Sequence, residues 1–245
     1  MLQPHIQLDE SHHIKYAILP GDPARVDRIA KYFDDPKELA FNREFKSIKG
    51  LYKGVPVLAL STGIGGASMT IAIEELRQIG ITHLIRIGSC GALKKGIGLG
   101  DLIIVNGAVR DDGASNTYVD AVYPAVPDTD LLFGVIESAK DAGYRYHVGI
   151  ARSHDSFYID DEEEVSRFWS ERGVIGSDME TAALFTVGRL RGLKTASILN
   201  NVVLWGEDTA DSIGSYADGE NLTAKGEEAE ILTALNAFAS LEERK

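Results

Sequence analysis

Cysteine is nearly absent: Cys90 is the only one in 245 residues. The chain therefore has no disulfide framework and no thiolate-rich zinc site, and its composition suits a reducing compartment such as the cytoplasm. Positive charge is also scarce. The 25 Lys and Arg against 37 Asp and Glu leave a net charge of −12 and a pI near 4.9. Such a balance excludes the broad basic face that nucleic acid or an anionic membrane requires. No apolar run reaches the roughly 20 residues of a membrane span. The segment from Met1 to Tyr16 carries acidic residues and no apolar h-region, so no secretory leader is expected. Repeats and low-complexity tracts are missing. So are the common nucleotide signatures. Gly63-Ile64-Gly65-Gly66-Ala67-Ser68 places serine where the dinucleotide fingerprint ends in glycine, and neither a Gly-Lys-Ser/Thr phosphate loop nor Gly-x-Ser-x-Gly occurs. NAD, ATP and serine-hydrolase chemistry thereby lose their usual carriers. His12 and His13 are adjacent rather than spaced as metal ligands.

Hydrophobic residues make up 44% of the chain. That is enough for a full core at the upper end of single-domain sizes, so one domain spanning 1–245 is expected. Short apolar runs alternate with helix-period segments, the pattern of an α/β domain. Tyr16 to Leu19 reads as a strand, Pro20-Gly21-Asp22-Pro23 as a turn, and Val26, Ile29, Ala30 and Phe33 as one helix face. Asp22 would cap that helix, with Pro23 at its first position. Val55 to Leu60 is a second strand, followed by Ser61-Thr62-Gly63-Ile64-Gly65-Gly66 and a helix from about Ala67 to Gly80. Further strands are expected at Leu84 to Ile87, Leu102 to Val105, Val148 to Ala151, Val174-Ile175 and Thr195 to Leu199. Further helices are expected at Leu131 to Ala142, Glu180 to Leu190 and Lys225 to Glu243. Asp208 to Leu222 shows no period and reads as a loop or lid.

In an α/β sheet, ligands collect outside the carboxyl ends of the strands, where loops enter helix N-termini rich in free N–H groups. Three glycine-rich segments follow strands here, at Gly21, at Gly63 to Gly66 and at Gly88-Ser89-Cys90-Gly91. Arg25 lies one turn into the helix after Gly21, and Arg86 stands just before Gly88. Two guanidiniums and the Ser89 hydroxyl suit a tetrahedral oxyanion. Taken singly, the glycines read as turn formers and the arginines as solvated surface; their joint placement favours an anion site. Asp178-Met179-Glu180 follows the Val174-Ile175 strand and opens a helix. Its carboxylates serve as helix caps, or else Glu180 accepts from a pair of sugar hydroxyls beside the flexible Met179.

Taken together, Pro20-Gly21-Asp22-Pro23-Ala24-Arg25-Val26, Ser61-Thr62-Gly63-Ile64-Gly65-Gly66, Arg86-Ile87-Gly88-Ser89-Cys90-Gly91-Ala92 and Asp178-Met179-Glu180 resemble the hexameric purine and uridine phosphorylase family. The likeness runs from Pro4-His5-Ile6 to at least Leu199. It implies an α/β/α sandwich around a mixed, barrel-like β-sheet, assembled as homodimers that form a trimer of dimers with active sites at the dimer contacts. It also implies phosphorolysis of a nucleoside to free base and ribose or deoxyribose 1-phosphate, with inorganic phosphate as co-substrate and no other cofactor. Carried over by position, Gly21, Arg25, Arg86 and Ser89 would hold phosphate, joined by Arg43 from the neighbouring subunit. His5 of that neighbour would reach the ribose 5′-hydroxyl, and Met179 and Glu180 would hold the ribose. Phe157 would pack on the base or sugar, with Cys90, Gly91 and Asp178 bordering the base. Arg86, Glu180 and Asn201 would carry catalysis. Glu44, Ile64 and Ser68 match the place where some members hold a monovalent cation such as potassium between subunits.

The resemblance is uneven where the family reads the base. Uridine phosphorylases use a glutamine and an arginine just after the residue matching Phe157; Asp161 and Glu163 stand there, inside the acidic run Asp160 to Glu164. Bacterial purine phosphorylases place an aspartate after the strand matching Thr195 to Leu199; Val203 stands there. Asp111-Asp112-Gly113-Ala114-Ser115 and Tyr123-Pro124-Ala125-Val126 are similar to the uridine branch. Pro4-His5-Ile6 and the short segment after Phe157 are similar to the purine branch. A uridine-like enzyme is the first reading and a purine nucleoside phosphorylase the alternative. Asn200 or Asn201 would then hydrogen-bond the leaving base, and Asp161 would accept from a base edge that presents donors. Otherwise the asparagines end a strand and the acidic run begins a solvated helix. A nucleosidase using water would share the ribose site but has no use for Arg25, Arg43 and Arg86 on one anion. A nucleoside-binding protein without turnover is the remaining alternative.

Overall fold

The computed structural model describes residues 1–206 and 221–244. Among them, nine strands form one sheet: β1 (Tyr16–Leu19), β2 (Asp34–Asn42), β3 (Phe45–Tyr52), β4 (Val55–Leu60), β5 (His83–Ala92), β6 (Leu102–Asp111), β7 (Tyr146–His154), β8 (Val174–Asp178) and β9 (Lys194–Val203). The helices are α1 (Pro23–Ala30), α2 (Gly66–Gln78), α3 (Gly113–Tyr118), α4 (Thr129–Asp141), α5 (Glu162–Ser170), α6 (Thr181–Leu190) and α7 (Asn221–Glu243). Among the described residues, no helix is long and apolar enough to cross a membrane.

The strand order is β2-β3-β4-β1-β5-β8-β7-β6-β9, and β9 pairs a second time, in parallel with β5 from His83↔Lys194 to Gly91↔Val203. This extra pairing closes β5, β8, β7, β6 and β9 into a ring, leaving β2-β3-β4-β1 as an open wing. Parallel pairs (β1 with β4 and β5) coexist with antiparallel ones (β5 with β8, β6 with β9), so the sheet is mixed. Along β1, Ala17 and Leu19 join a core cluster with α2 and α6, whereas Tyr16 and Ile18 join one with α1, α4 and α7. Successive strand residues face opposite sides. Both faces are covered by helices, every β1 residue is buried, and the strand reads as an unbroken apolar run. The architecture is the expected α/β/α sandwich around a mixed, barrel-like sheet.

Local chemistry sets several boundaries. Asp22 caps α1 by accepting from the Ala24 N–H at 2.9 Å, with Pro23 at the first helical position. The Gly88-Ser89-Cys90-Gly91 segment is not a loop: it lies inside β5, because β9 and then β8 supply its backbone partners. The hairpin of β2 and β3 and the short helix α3 stand where the sequence reading placed no element. The acidic run from Glu162 to Glu164 is the first turn of α5, where carboxylates favour a helix N-terminus. Helix α7 begins at Asn221, ahead of the expected Lys225, while Asp208 to residue 220 of the expected lid lies outside the described residues. Gly226 lets α7 cross the sheet closely. A Cβ there would overlap the Asn200 side chain and sit 2.7 Å from the Gly100 Cα.

Candidate active site

Strands β4, β1 and β5 run parallel, so their carboxyl ends meet along one edge. Two of the loops that leave this edge are tied together: the Thr62 N–H donates to the Pro20 carbonyl at 2.9 Å and the Gly63 N–H to the Gly21 carbonyl at 3.0 Å. Gly21 has no room for a side chain, since a Cβ would lie 2.9 Å from the Gly63 carbonyl oxygen. Strand β8 runs antiparallel to β5 with Gly91 opposite Ser177, which delivers Asp178 and the start of α6 to the same place. Together these elements enclose a cavity of about 1040 Å³. Its wall includes Gly21, Arg25, Arg86 and Ser89 on one side and Phe157, Asp178, Met179 and Glu180 on the other, with Ile64 at an exposed rim.

Arg86 organises the floor. It is only 3% exposed. Its Nε donates to Asp178 Oδ2 at 2.9 Å and its Nη2 pairs with Glu180 Oε2 at 2.5 Å. The third nitrogen, Nη1, is buried with no hydrogen-bond partner among the described residues. Unsatisfied buried guanidinium N–H groups are costly, and this one belongs to a residue that lines the cavity. Asp178 is already saturated. It accepts from Arg86, from Ser153 Oγ at 2.6 Å and from the N–H and hydroxyl of Thr181, so it caps α6 while holding the arginine. Glu180 accepts from the Gly65 N–H, which joins α6 to the loop before α2. Burial pushes the Glu180 carboxyl above the ordinary glutamate range, against the opposing pull of Arg86.

Arg25, 4% exposed, places its Nη2 3.4 Å from Ser89 Oγ. Its other nitrogens meet carboxylates that sequence reasoning missed: Nε donates to Glu227 Oε2 at 2.8 Å, and Nη1 lies 3.3 Å from Glu230 Oε1. Both glutamates come from α7, spaced one turn apart. The second contact has ion-pair distance without hydrogen-bond geometry, so Glu230 Oε1 has no hydrogen-bond partner among the described residues, while Oε2 accepts from the Gly88 N–H at 3.1 Å. Burial pushes Glu230 from its ordinary 4.5 up to about 8. With the folded value raised, the native chain holds a proton that the unfolded chain gives up. That contribution to stability is whole below about 4.5 and is lost as pH rises through about 8.

Other expected site residues lie apart from this cavity. His5 is half-buried and clamped by Glu75, whose carboxylate accepts from His5 Nδ1 at 2.6 Å, from the His5 N–H and from the Ile6 N–H at 2.9 Å. Arg43 is exposed at a positive φ of 56°. Glu44 accepts from Ser68 Oγ at 2.7 Å, so these two of the cation-site residues touch. Asp161 is exposed at the start of α5. Cys90 and Gly91 lie in β5 outside the cavity lining. Asn200 and Asn201 are fully buried elsewhere: the Asn200 Nδ2 donates to the Thr223 carbonyl at 2.9 Å and the Asn201 Nδ2 to the Gly98 carbonyl at 3.0 Å. Conversely, the cavity gains His154 and Ser177, which the sequence reading did not single out. Proximity of His154 to Phe157 in the chain was the available signal.

Three comparisons bear on this geometry. Residues 15–234 match the Phosphorylase superfamily. A uridine phosphorylase from Thermococcus kodakarensis is 41% identical over 209 residues, covering 80% of this chain and 76% of that protein. A guanosine phosphorylase from Halorubrum lacusprofundi is 39% identical over 213 residues, covering 86% of this chain and 88% of that protein. The crystal structure of uridine phosphorylase from Vibrio fischeri, complexed with 6-hydroxy-1-naphthoic acid, superposes with a TM-score of 0.90 at 45% identity, covering 97% of this chain and 96% of that one. With sequence and fold in agreement, the chain belongs to the phosphorylase superfamily and is a nucleoside phosphorylase.

Proposed function

We propose that the reaction is phosphorolysis of a uridine-type nucleoside in the cytoplasm, carried out by one domain spanning 1–245. The observation that carries the assignment of the anion site is the buried Nη1 of Arg86, without a hydrogen-bond partner among the described residues, on a residue that shares the cavity wall with Arg25, Ser89 and Gly21. These four residues seat inorganic phosphate. Glu180 accepts from the ribose hydroxyls, Met179 packs on the sugar, and Phe157 borders the base, with His154 and Ser177 beside it. As the C1′–N bond lengthens, the sugar gains oxocarbenium character. A phosphate oxygen held at C1′ then forms the new bond while the bonding pair leaves with the base, which takes up a proton. Placement of the anion beside the developing cation and fixed donors around its charge supply the rate enhancement.

The site is completed by a second copy. His5, Arg43 and Glu44 share one surface: Asn42 Nδ2 donates to the His5 carbonyl at 2.8 Å, and the Ser68 hydroxyl and the Glu44 backbone N–H, with smaller help from Arg43 and His5, hold the Glu44 carboxyl below the usual range. This surface adjoins the cavity rim, because a Cβ on Gly63 would lie 2.7 Å from Glu44 Cγ. In an isologous dimer built on this surface the patch meets its own equivalent, beside both cavity rims. The partner's Arg43 then reaches the phosphate and the partner's His5 the ribose 5′-hydroxyl, and three such dimers make a hexamer. One carboxylate and one hydroxyl, Glu44 and Ser68 next to Ile64, fit a monovalent cation such as potassium better than a divalent one. Bound there, it would help hold the two subunits together.

Base choice is tested by kcat/KM for uridine and guanosine at saturating phosphate. An advantage for uridine of roughly tenfold or more supports the pyrimidine reading. Guanosine ahead by as much would move the substrate to the purines; neither Asp161 nor Glu163 lines the cavity to read either base.

A further inference from the structure

Counting the charges around the anion site exposes a deficit. Arg25, Arg28 and Arg86 face Asp22, Asp178, Glu180, Glu227 and Glu230. With all of these ionised, the three arginines, even joined by the partner's Arg43, are outnumbered by five carboxylates before phosphate arrives with up to two more negative charges. Neutralising one of the carboxyls would relieve this excess when the anion is bound. Asp178 accepts from four donors, Glu180 holds Arg86 and the Gly65 N–H, and Glu227 is shared by Arg25 and Arg28. Glu230 is the least compensated: its side chain is fully buried, and among the described residues one oxygen has only the Gly88 N–H and the other only the imperfect approach of Arg25.

We propose that Glu230 is a positioning residue of the phosphate site that takes up a proton as the anion enters, so that phosphate capture is proton-coupled. Ionised, Glu230 pulls on Arg25 Nη1; neutral, it releases that guanidinium to the anion while still accepting from the Gly88 N–H through its carbonyl oxygen. The groups that set its titration are Arg25 of α1, Arg86 and the Cys90 thiol of β5, and Glu227 of its own helix, with Arg28 and Asp178 one contact further out. Burial dominates and places the change near pH 8. The proposal rests on the assignment of Arg25 and Arg86 to phosphate.

Calorimetric titration of the full-length protein with sulfate at pH 8.5, in two buffers of different ionisation enthalpy, reads the proton directly. Sulfate is a tetrahedral dianion that does not itself titrate there. The expected result is uptake of about 0.5–0.8 proton per anion bound. Glu230→Gln should remove the uptake and lower the KM for phosphate several-fold at pH 8.5 while leaving it unchanged at pH 6.5, where the native carboxyl is already protonated. A merely structural residue would raise KM at both values. Sulfate bound without proton uptake by the native protein, or a Gln variant weaker at both pH values, would overturn the role of Glu230 alone. No binding of sulfate or phosphate, together with base release that ignores phosphate, would remove the phosphorylase reading as well.

Discussion

Arg86→Met is expected to lower kcat/KM for phosphorolysis by about a thousandfold, roughly 4 kcal/mol of transition-state stabilisation. Methionine keeps most of the volume but removes all three donors. The Nη1 that has no partner among the described residues is lost to the phosphate, and Asp178 and Glu180 lose their shared cation. Because both carboxylates are buried, the folded state should also lose about 3–5 kcal/mol. Arg86→Lys should rescue stability in part and activity little, since one ammonium cannot replace a planar fork that meets two carboxylates and an anion at once. Steady-state kinetics and denaturant unfolding separate the two effects. A variant whose kcat/KM stays within a few-fold of the native value would take Arg86 out of the phosphate site.

Glu180→Gln is expected to cost about a hundredfold in kcat/KM, near 2.7 kcal/mol, because hydrogen bonds from sugar hydroxyls to a carboxylate are stronger than those to an amide. The amide also offers a donor toward Arg86, which already has Glu180 as a partner. The informative readout is the comparison of a nucleoside with its 2′-deoxy analogue. The native enzyme should prefer the ribonucleoside, and the variant should lose most of that preference, as expected when one hydroxyl and one carboxylate are coupled. An equal loss on both substrates would show that Glu180 acts only by holding Arg86 and the Gly65 N–H.

Where the chemistry is local, the fold was legible in the chain. Asp22 and Pro23 start α1 because cap and first-turn preferences act within a few residues. Glycine-rich segments were legible only as turns. Gly88 to Gly91 is a strand because β9 and β8 lie alongside, which no local pattern records. The hairpin of β2 and β3 was hidden because β2 is largely exposed and lacks an apolar alternation. At the site, Arg25, Arg86, Ser89, Met179 and Glu180 could be placed together because ligands gather where parallel strands end. Glu227 and Glu230 could not. Glutamates on an amphipathic helix read as solvated, and only the crossing of α7 at Gly226, deep against Asn200, buries them beside Arg25. The same crossing commits the Asn200 side-chain donor to the Thr223 carbonyl of α7, while Asn201 donates to the Gly98 carbonyl.

The most direct test of phosphate-dependent cleavage is release of free base from uridine and guanosine with and without inorganic phosphate, followed by detection of ribose 1-phosphate. Release that requires phosphate and yields the sugar phosphate one for one is expected. Equal release in phosphate-free buffer, with free ribose as the product, would contradict it.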